Sequence, residues 1–301
     1  MFKNLKNFLF MAIAKGQASS EAVTIKRYIG VGACKVIGVN PTKAEMKELM
    51  GFEPNEEPVY FGKQVIDGKE VDYARISFVI KTVADKCNGI DSTQMVTFFI
   101  RNQYRKGATS GKYQVIDEYG RTAWGLEEDV KAKKTIMYSN GPANISNNYR
   151  PAFVGEEELT NFIKVWLNIP NPANYVNGAW IMKPATEAVL SECRFDNIKN
   201  FFNGNFKEVT DTVMLQPDNV VKVLFGIRTN DEGREYQDIY SEVLRSNTTD
   251  YSKLQATIEE RKNNGALANR TYEFCELKEY TVEPTKFDDP LASTDNSDPW
   301  A

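Results

Sequence analysis

The sequence predicts an α+β protein: an antiparallel OB-like β-barrel core, a helical insertion, and a disordered acidic C-terminal tail. Three observations carry this. Short runs with period-2 alternation recur between residues 23 and 139, separated by turn residues. A helical period replaces them after Asn140-Gly141-Pro142. From Glu283 onward both periods vanish and the chain becomes acidic and Pro-interrupted.

Val23–Val39 opens the β region, and Gly30, Gly32 and Gly38 inside it mark bends or a bulge. Gly30-Val31-Gly32 is no dinucleotide fingerprint, because no third Gly follows in register. Asn40-Pro41-Thr42 starts a short helix, Lys43–Met50, that Gly51 stops. After the acidic loop Phe52–Pro58, Val59–Ile66 and Val71–Val83 flank Asp67-Gly68, a strong hairpin signal. Thr93–Gln103, Tyr113–Ile116, Thr122–Trp124 and Thr135–Tyr138 read as further strands. Several short strands with hairpin turns and one short helix fit a small antiparallel barrel such as the OB-fold.

Glu156–Asn168 is a helix, with Leu159, Phe162, Ile163, Trp166 and Leu167 on one face. Glu156, Glu157 and Glu158 occupy its first turn, where the helix dipole favours anions. Glu187–Phe202 reads as one or two more helices. Val220–Ile227 and Tyr236–Leu244 form a hairpin around Asp231-Glu232-Gly233. Tyr251–Arg261 is helical, and Thr271–Val282 is a last strand. This later β unit is expected to pack on the first sheet instead of forming its own domain. Residues 1–22 then form an N-terminal extension, 23–282 the β-core with its insertion around 155–210, and 283–301 the tail.

Composition excludes several chemistries. The 301 residues contain no His, which removes His-based catalytic triads, metal ligands and pH switches. Cys34, Cys87, Cys193 and Cys275 are far apart, as expected of thiols in a reducing compartment. Asp117-Glu118 and Glu127-Glu128-Asp129 could hold Mg²⁺, although scattered surface acids are the commoner explanation. With no Walker-type phosphate loop either, neither an enzyme nor a cofactor is expected. Lys3 and Lys6 before Phe8–Ala14 resemble a minimal secretory signal, and Met11 is an alternative start. The cysteines favour the cytoplasm, and no run is long enough to span a membrane.

The net charge of −4 hides an asymmetry. Residues 1–154 hold 22 Lys and Arg against 16 Asp and Glu, whereas 155–301 hold 15 against 25. A basic front half implies an anionic partner. Within it, Asp72–Val83 places Ala74, Ile76, Phe78 and Ile80 on one face and Tyr73, Arg75, Ser77, Val79 and Lys81 on the other. Thr93–Gln103 pairs an apolar face of Val96, Phe98 and Ile100 with a face of Phe99 and Arg101. Rings beside cations suit single-stranded nucleic acid, whose bases stack while its phosphates meet Arg and Lys. Arg105, Lys106 and Lys112 in the following loop add phosphate contacts, with Lys131, Lys133 and Lys134 as a further cluster. The competing expectation buries Phe99 beneath the helical segment 156–202.

The tail contains Phe287-Asp288-Asp289-Pro290 and ends in Asp298-Pro299-Trp300-Ala301. It resembles the acidic tails of bacterial and phage single-stranded DNA-binding proteins, whose Asp-rich, Pro-aromatic tip docks replication partners and competes with DNA. The resemblance makes Phe287, Asp288, Asp289, Asp298, Pro299 and Trp300 the partner-binding residues, although this tip ends in Ala after Trp and not in Phe. Val36-Ile37-Gly38-Val39-Asn40-Pro41-Thr42-Lys43-Ala44-Glu45-Met46 and Tyr149–Glu157, followed by Phe162 and Trp166-Leu167, are similar to proteins of the replication module of crAss-like tailed phages. That resemblance implies single-stranded DNA binding in the bacterial host cytoplasm, with phage replication proteins as partners and homo-oligomers compatible. The alternative is a virion or other structural phage protein without DNA affinity.

Overall fold

In the computed structural model, residues 26–139, 143–169, 175–176, 179–180, 189–191, 193–200 and 219–281 are described. The N-terminal extension before residue 26 and the acidic tail lie outside them. In chain order the elements are β1 (Arg27–Val39), α1 (Lys43–Met50), β2 (Phe61–Ile66), β3 (Lys69–Thr82), β4 (Thr93–Tyr104), β5 (Tyr113–Asp117) and β6 (Thr122–Gly125). There follow α2 (Glu127–Lys131), β7 (Tyr149–Pro151), β8 (Phe153–Val154), α3 (Glu156–Trp166), β9 (Tyr175–Val176), β10 (Ala179–Trp180) and α4 (Phe195–Asn200). The chain closes with β11 (Val221–Thr229), β12 (Glu235–Ile239), β13 (Leu244–Arg245), α5 (Ser252–Asn263), β14 (Arg270–Tyr272) and β15 (Lys278–Tyr280).

The architecture is α+β: a mostly antiparallel sheet curled strongly into a half-barrel. Its spine runs β12-β11-β1-β3-β4-β8, with β2 on β3, β15 on β1, and β13 and β14 on β11. The later strands thus join the first sheet edge to edge through the β1–β11 ladder, and do not pack across its face. A separate three-stranded sheet, β6-β5-β7, continues from the end of β4. There Arg105 N donates to Ala152 O, and Gln114 N donates to Arg105 O.

Local sequence explains these elements. Asp67-Gly68 makes the β2–β3 turn, closing a ladder from Ile66–Lys69 to Phe61–Ala74. Thr42 caps α1 with Glu45 in a reciprocal capping box, and Gly51 ends the helix in the left-handed conformation. The β1–β3 register shifts between Val36 and Gly38, the irregularity that the glycines of this strand predict.

Three expected strands are corrected. Thr135–Tyr138 forms only a single bridge, Met137 to Asn144, because Lys133 takes a positive φ and Ile136 turns into the small core. Thr271–Val282 divides: β14 pairs with β11, then the chain steps across to β1, where β15 pairs. In between, Val31 N donates to Cys275 O over 2.8 Å. Gly30 permits this step, since a Cβ there would lie 2.6 Å from Glu276 O. Likewise Tyr236–Leu244 is interrupted: β12 stops at Ile239, and β13 pairs with the opposite end of β11. Helix α2 and the short strands β7, β8, β9 and β10 lie where the sequence pattern predicts no element.

The main core lies between the concave face of the sheet and α3. Ala74, Ile76, Phe78, Ile80, Val96, Phe98 and Ile100 meet Leu159, Phe162, Ile163 and Trp166. The Phe78 ring lies 4.3 Å from Phe162 and 5.5 Å from Trp166, centroid to centroid. Burying each such side chain stabilises the fold by about 1.5–3 kcal/mol. Helix α3 also bridges two regions of the half-barrel. Its start follows β8, and the segment just past its end is held by Arg245 of β13, which donates to the Asn168 side-chain Oδ1 and to Ile169 O.

The first turn of α3 joins the two sheets. Glu156, fully buried, accepts two bonds from the Arg150 guanidinium and one from Phe153 N. Glu157 accepts from Arg105, Gln114 and Thr122, and Glu158 accepts from Arg105. Replacing Glu156 by Ala leaves the Arg150 charge and an amide unpaired. The expected loss is about 3 kcal/mol, measured as a lower urea midpoint with unchanged m-value.

Farther along α3, Lys164 donates to Gly120 O over 3.2 Å. Burial lowers its pKa from 10.5 to about 8, partly offset by Asp117. Between those two values the folded chain binds fewer protons than the unfolded one, so this group makes stability rise with pH. The rise in melting temperature between pH 8 and 10 should therefore be larger in the native protein than in Lys164→Met.

Candidate nucleic-acid interface

The convex face of the β3–β4 ladder has three zones. At one end Lys81 stands opposite Thr93 and pairs with Asp91 at 3.1 Å. In the middle, Ser77 and Thr97 share a hydrogen bond of 2.9 Å, and Val79 is fully buried near Gly38 and Leu49 of the α1 region. This part of the sheet is covered on both faces. At the other end, Tyr73 stands opposite Arg101, and Arg75 opposite Phe99. Two cross-strand pairs therefore put two rings and two guanidinium groups on one patch.

Phe99 is 43% exposed, so it is not sealed beneath the helices. Gly155 keeps the chain close behind it: the residue has φ 87°, and a Cβ there would collide with Phe99 O. Tyr73 lies across Gly62 of β2, where a Cβ would sit 3.0 Å from the phenol oxygen. The ring uses the space that a side chain at this position would fill.

Arg75 carries the most informative electrostatics. Its Nε is buried without a hydrogen-bond partner. Burial lowers its pKa, while Tyr60 and Tyr73 act in the opposite direction. A guanidinium keeps its charge under such conditions. Neither Arg75 nor Arg101 has an ion-pair partner among the described residues. A partly desolvated, uncompensated cation beside aromatic rings is the arrangement an anionic ligand would complete.

The remaining cations differ. Arg105 is tied to Glu157 and Glu158, at 3.2 and 3.3 Å. Lys106 sits 4.4 Å above the Tyr113 ring and 3.8 Å from Glu127. Lys112 is exposed in the same turn, closed by Gly107 N donating to Lys112 O. Lys131 and Lys134 pair with Glu127 and Asp129, and Lys133 donates to Tyr149 O. The structure thus assembles Tyr73, Arg75, Phe99 and Arg101, sets Lys81 apart, and places the loop cations on the small sheet. The tail residues Phe287, Asp288, Asp289, Asp298, Pro299 and Trp300 lie outside the described residues.

Beside Phe99 a groove of about 340 Å³ is lined by Thr97, Arg105, Gly155, Glu158 and Ser241 among others. On its small-sheet side the Arg105 guanidinium lies 5.6 Å from the centre of the Trp124 ring. Trp124 was missed from the sequence, although its place in the short Thr122–Trp124 strand made an outward ring predictable. Asp117 and Glu118, weighed as Mg²⁺ ligands, hold Arg121 and Ser146 instead. Among the described residues, no group of three or more His, Cys, Asp or Glu could hold a metal ion.

The unpaired guanidinium yields a prediction. Arg75→Met should not destabilise the protein and should raise its stability by about 1 kcal/mol, because it removes a desolvated charge without a counter-ion. Thermal denaturation of the variant beside the native chain checks this.

No family model, no curated protein and no solved structure matches this chain.

Proposed function

We propose that the protein binds single-stranded DNA without sequence specificity, on the open end of the half-barrel, and that it serves phage DNA replication or recombination in the host cytoplasm. The observation that carries this reading is the patch of Tyr73, Arg75, Phe99 and Arg101, solvent-facing around Phe99, with both arginines lacking ion-pair partners among the described residues. Rings that accept any base, next to cations that meet phosphate, give affinity with little sequence preference. The curled sheet is read as OB-like, an architecture that commonly presents a strand face to oligonucleotides. The acidic tail Glu283–Ala301 is assigned the recruitment of replication partners and competition with DNA for the cationic patch.

Fluorescence anisotropy with labelled oligo-dT tests the proposal. Binding should weaken with salt, and Arg101→Gln should reduce the log–log slope by about 0.7, as expected for one lost phosphate contact on a single strand. Phe99→Ala should lower affinity roughly tenfold with little change in melting temperature. Deleting Glu283–Ala301 should tighten binding. No binding by either the full-length or the truncated chain at low salt would overturn the assignment and favour a structural phage protein.

A further inference from the structure

We infer that the nucleic-acid path does not stop at Phe99 but crosses the adjoining groove and Arg105 to Trp124, whose ring is a second base-stacking platform. This inference rests on the proposed single-stranded DNA binding and extends it to the small sheet.

Three observations carry it. First, the surfaces are continuous: Phe99 and Arg105 line the same groove of about 340 Å³, and Arg105 lies against the Trp124 ring. Second, Trp124 is 36% exposed although it belongs to a sheet with a core of its own. Ala123 is buried and a Cβ at Gly125 would meet Ile136 and Val130 of the small core, so the indole occupies the outward face by register and is not needed to fill that core. Third, its surroundings are cationic but compensated. Arg105 is paired with Glu157 and Glu158, and Lys106 lies near Glu127. A ring among neutralised cations recognises the faces of bases better than their phosphates. The two platforms therefore differ in character. The Arg75–Arg101 end supplies charge, and the Trp124 end supplies stacking. The groove between them is large enough for a nucleobase and offers hydroxyl, carboxylate and guanidinium groups to its edge.

The test uses the full chain, Trp124→Phe, Trp124→Ala and oligo-dT, read by anisotropy of a labelled strand and by intrinsic fluorescence. The chain has four tryptophans, so the quench is read in a background with Trp180 and Trp300 replaced by Phe; Trp166 is buried in the main core and should respond little. Trp124→Phe retains a stacking ring: it should keep affinity within about threefold but lose most of the DNA-induced tryptophan quench. Trp124→Ala should bind roughly tenfold more weakly, with an unchanged salt slope. A far-UV spectrum and melting curve matching those of Trp124→Phe would show that Trp124→Ala is folded. If Trp124→Ala binds oligo-dT as tightly as the native chain, and Trp124→Phe keeps the full quench, the second platform is refuted while the proposed function stands. If the native chain does not bind oligo-dT at all, both fall together.

Discussion

The arrangement of the molecule depends on three consecutive carboxylates at the start of α3. A half-barrel leaves an open side, and a small sheet appended to one strand has little area with which to hold its position. Glu156, Glu157 and Glu158 address both problems from one helical turn. Glu156 engages Arg150 of β7, Glu157 reaches Arg105, β5 and β6, and Glu158 shares the Arg105 guanidinium. The apolar face of α3 then fills the concave side, and Arg245 holds the far end. A buried carboxylate is tolerated only when its oxygens are satisfied, and Glu156 meets that condition with three donors.

That construction leaves the β3–β4 ladder with unequal ends. α3 and α4 occupy the concave side, while the α1 region covers the middle of the convex side. What remains open is the end where Tyr73, Arg75, Phe99 and Arg101 converge. Their placement follows from strand register: a one-residue slip between β3 and β4 would separate the two pairs. The opposing apolar residues fix that register, since Ile76, Phe78, Val96 and Phe98 have to meet α3. Core packing on one face thereby aligns charge and rings on the other.

Much of this was legible in the sequence, for identifiable reasons. Alternation in Asp72–Val83 and Thr93–Gln103 sorted the side chains onto two faces correctly, because a strand buried on one side leaves that imprint. Helix α3 was equally plain from its apolar spacing. The partial covering of the convex face was less plain, although Ser77 and Val79 hinted at it by being small or apolar where exposure would favour charge. The three glutamates suggested a helix-dipole effect, but their partners Arg105, Arg150 and Gln114 are set by tertiary structure and leave no local signal. The same holds for the break between β14 and β15. A strand that leaves one neighbour and joins the next looks continuous in sequence. Acidic α2 lacked a long apolar stripe, so its single buried residue, Val130, gave no period to detect.

Arg105 illustrates a further consequence of economy in the design. One guanidinium closes the joint between the sheets and also forms the wall linking Phe99 to Trp124. A side chain with two such duties is not free to drift: substitutions that would retune ligand preference at that point also loosen the joint. On the proposed path, recognition is more readily adjusted at the edges, around Tyr73 and Trp124, than at the centre. Variation among descendants of this protein should accordingly be greatest at those outer positions and least at the shared cation.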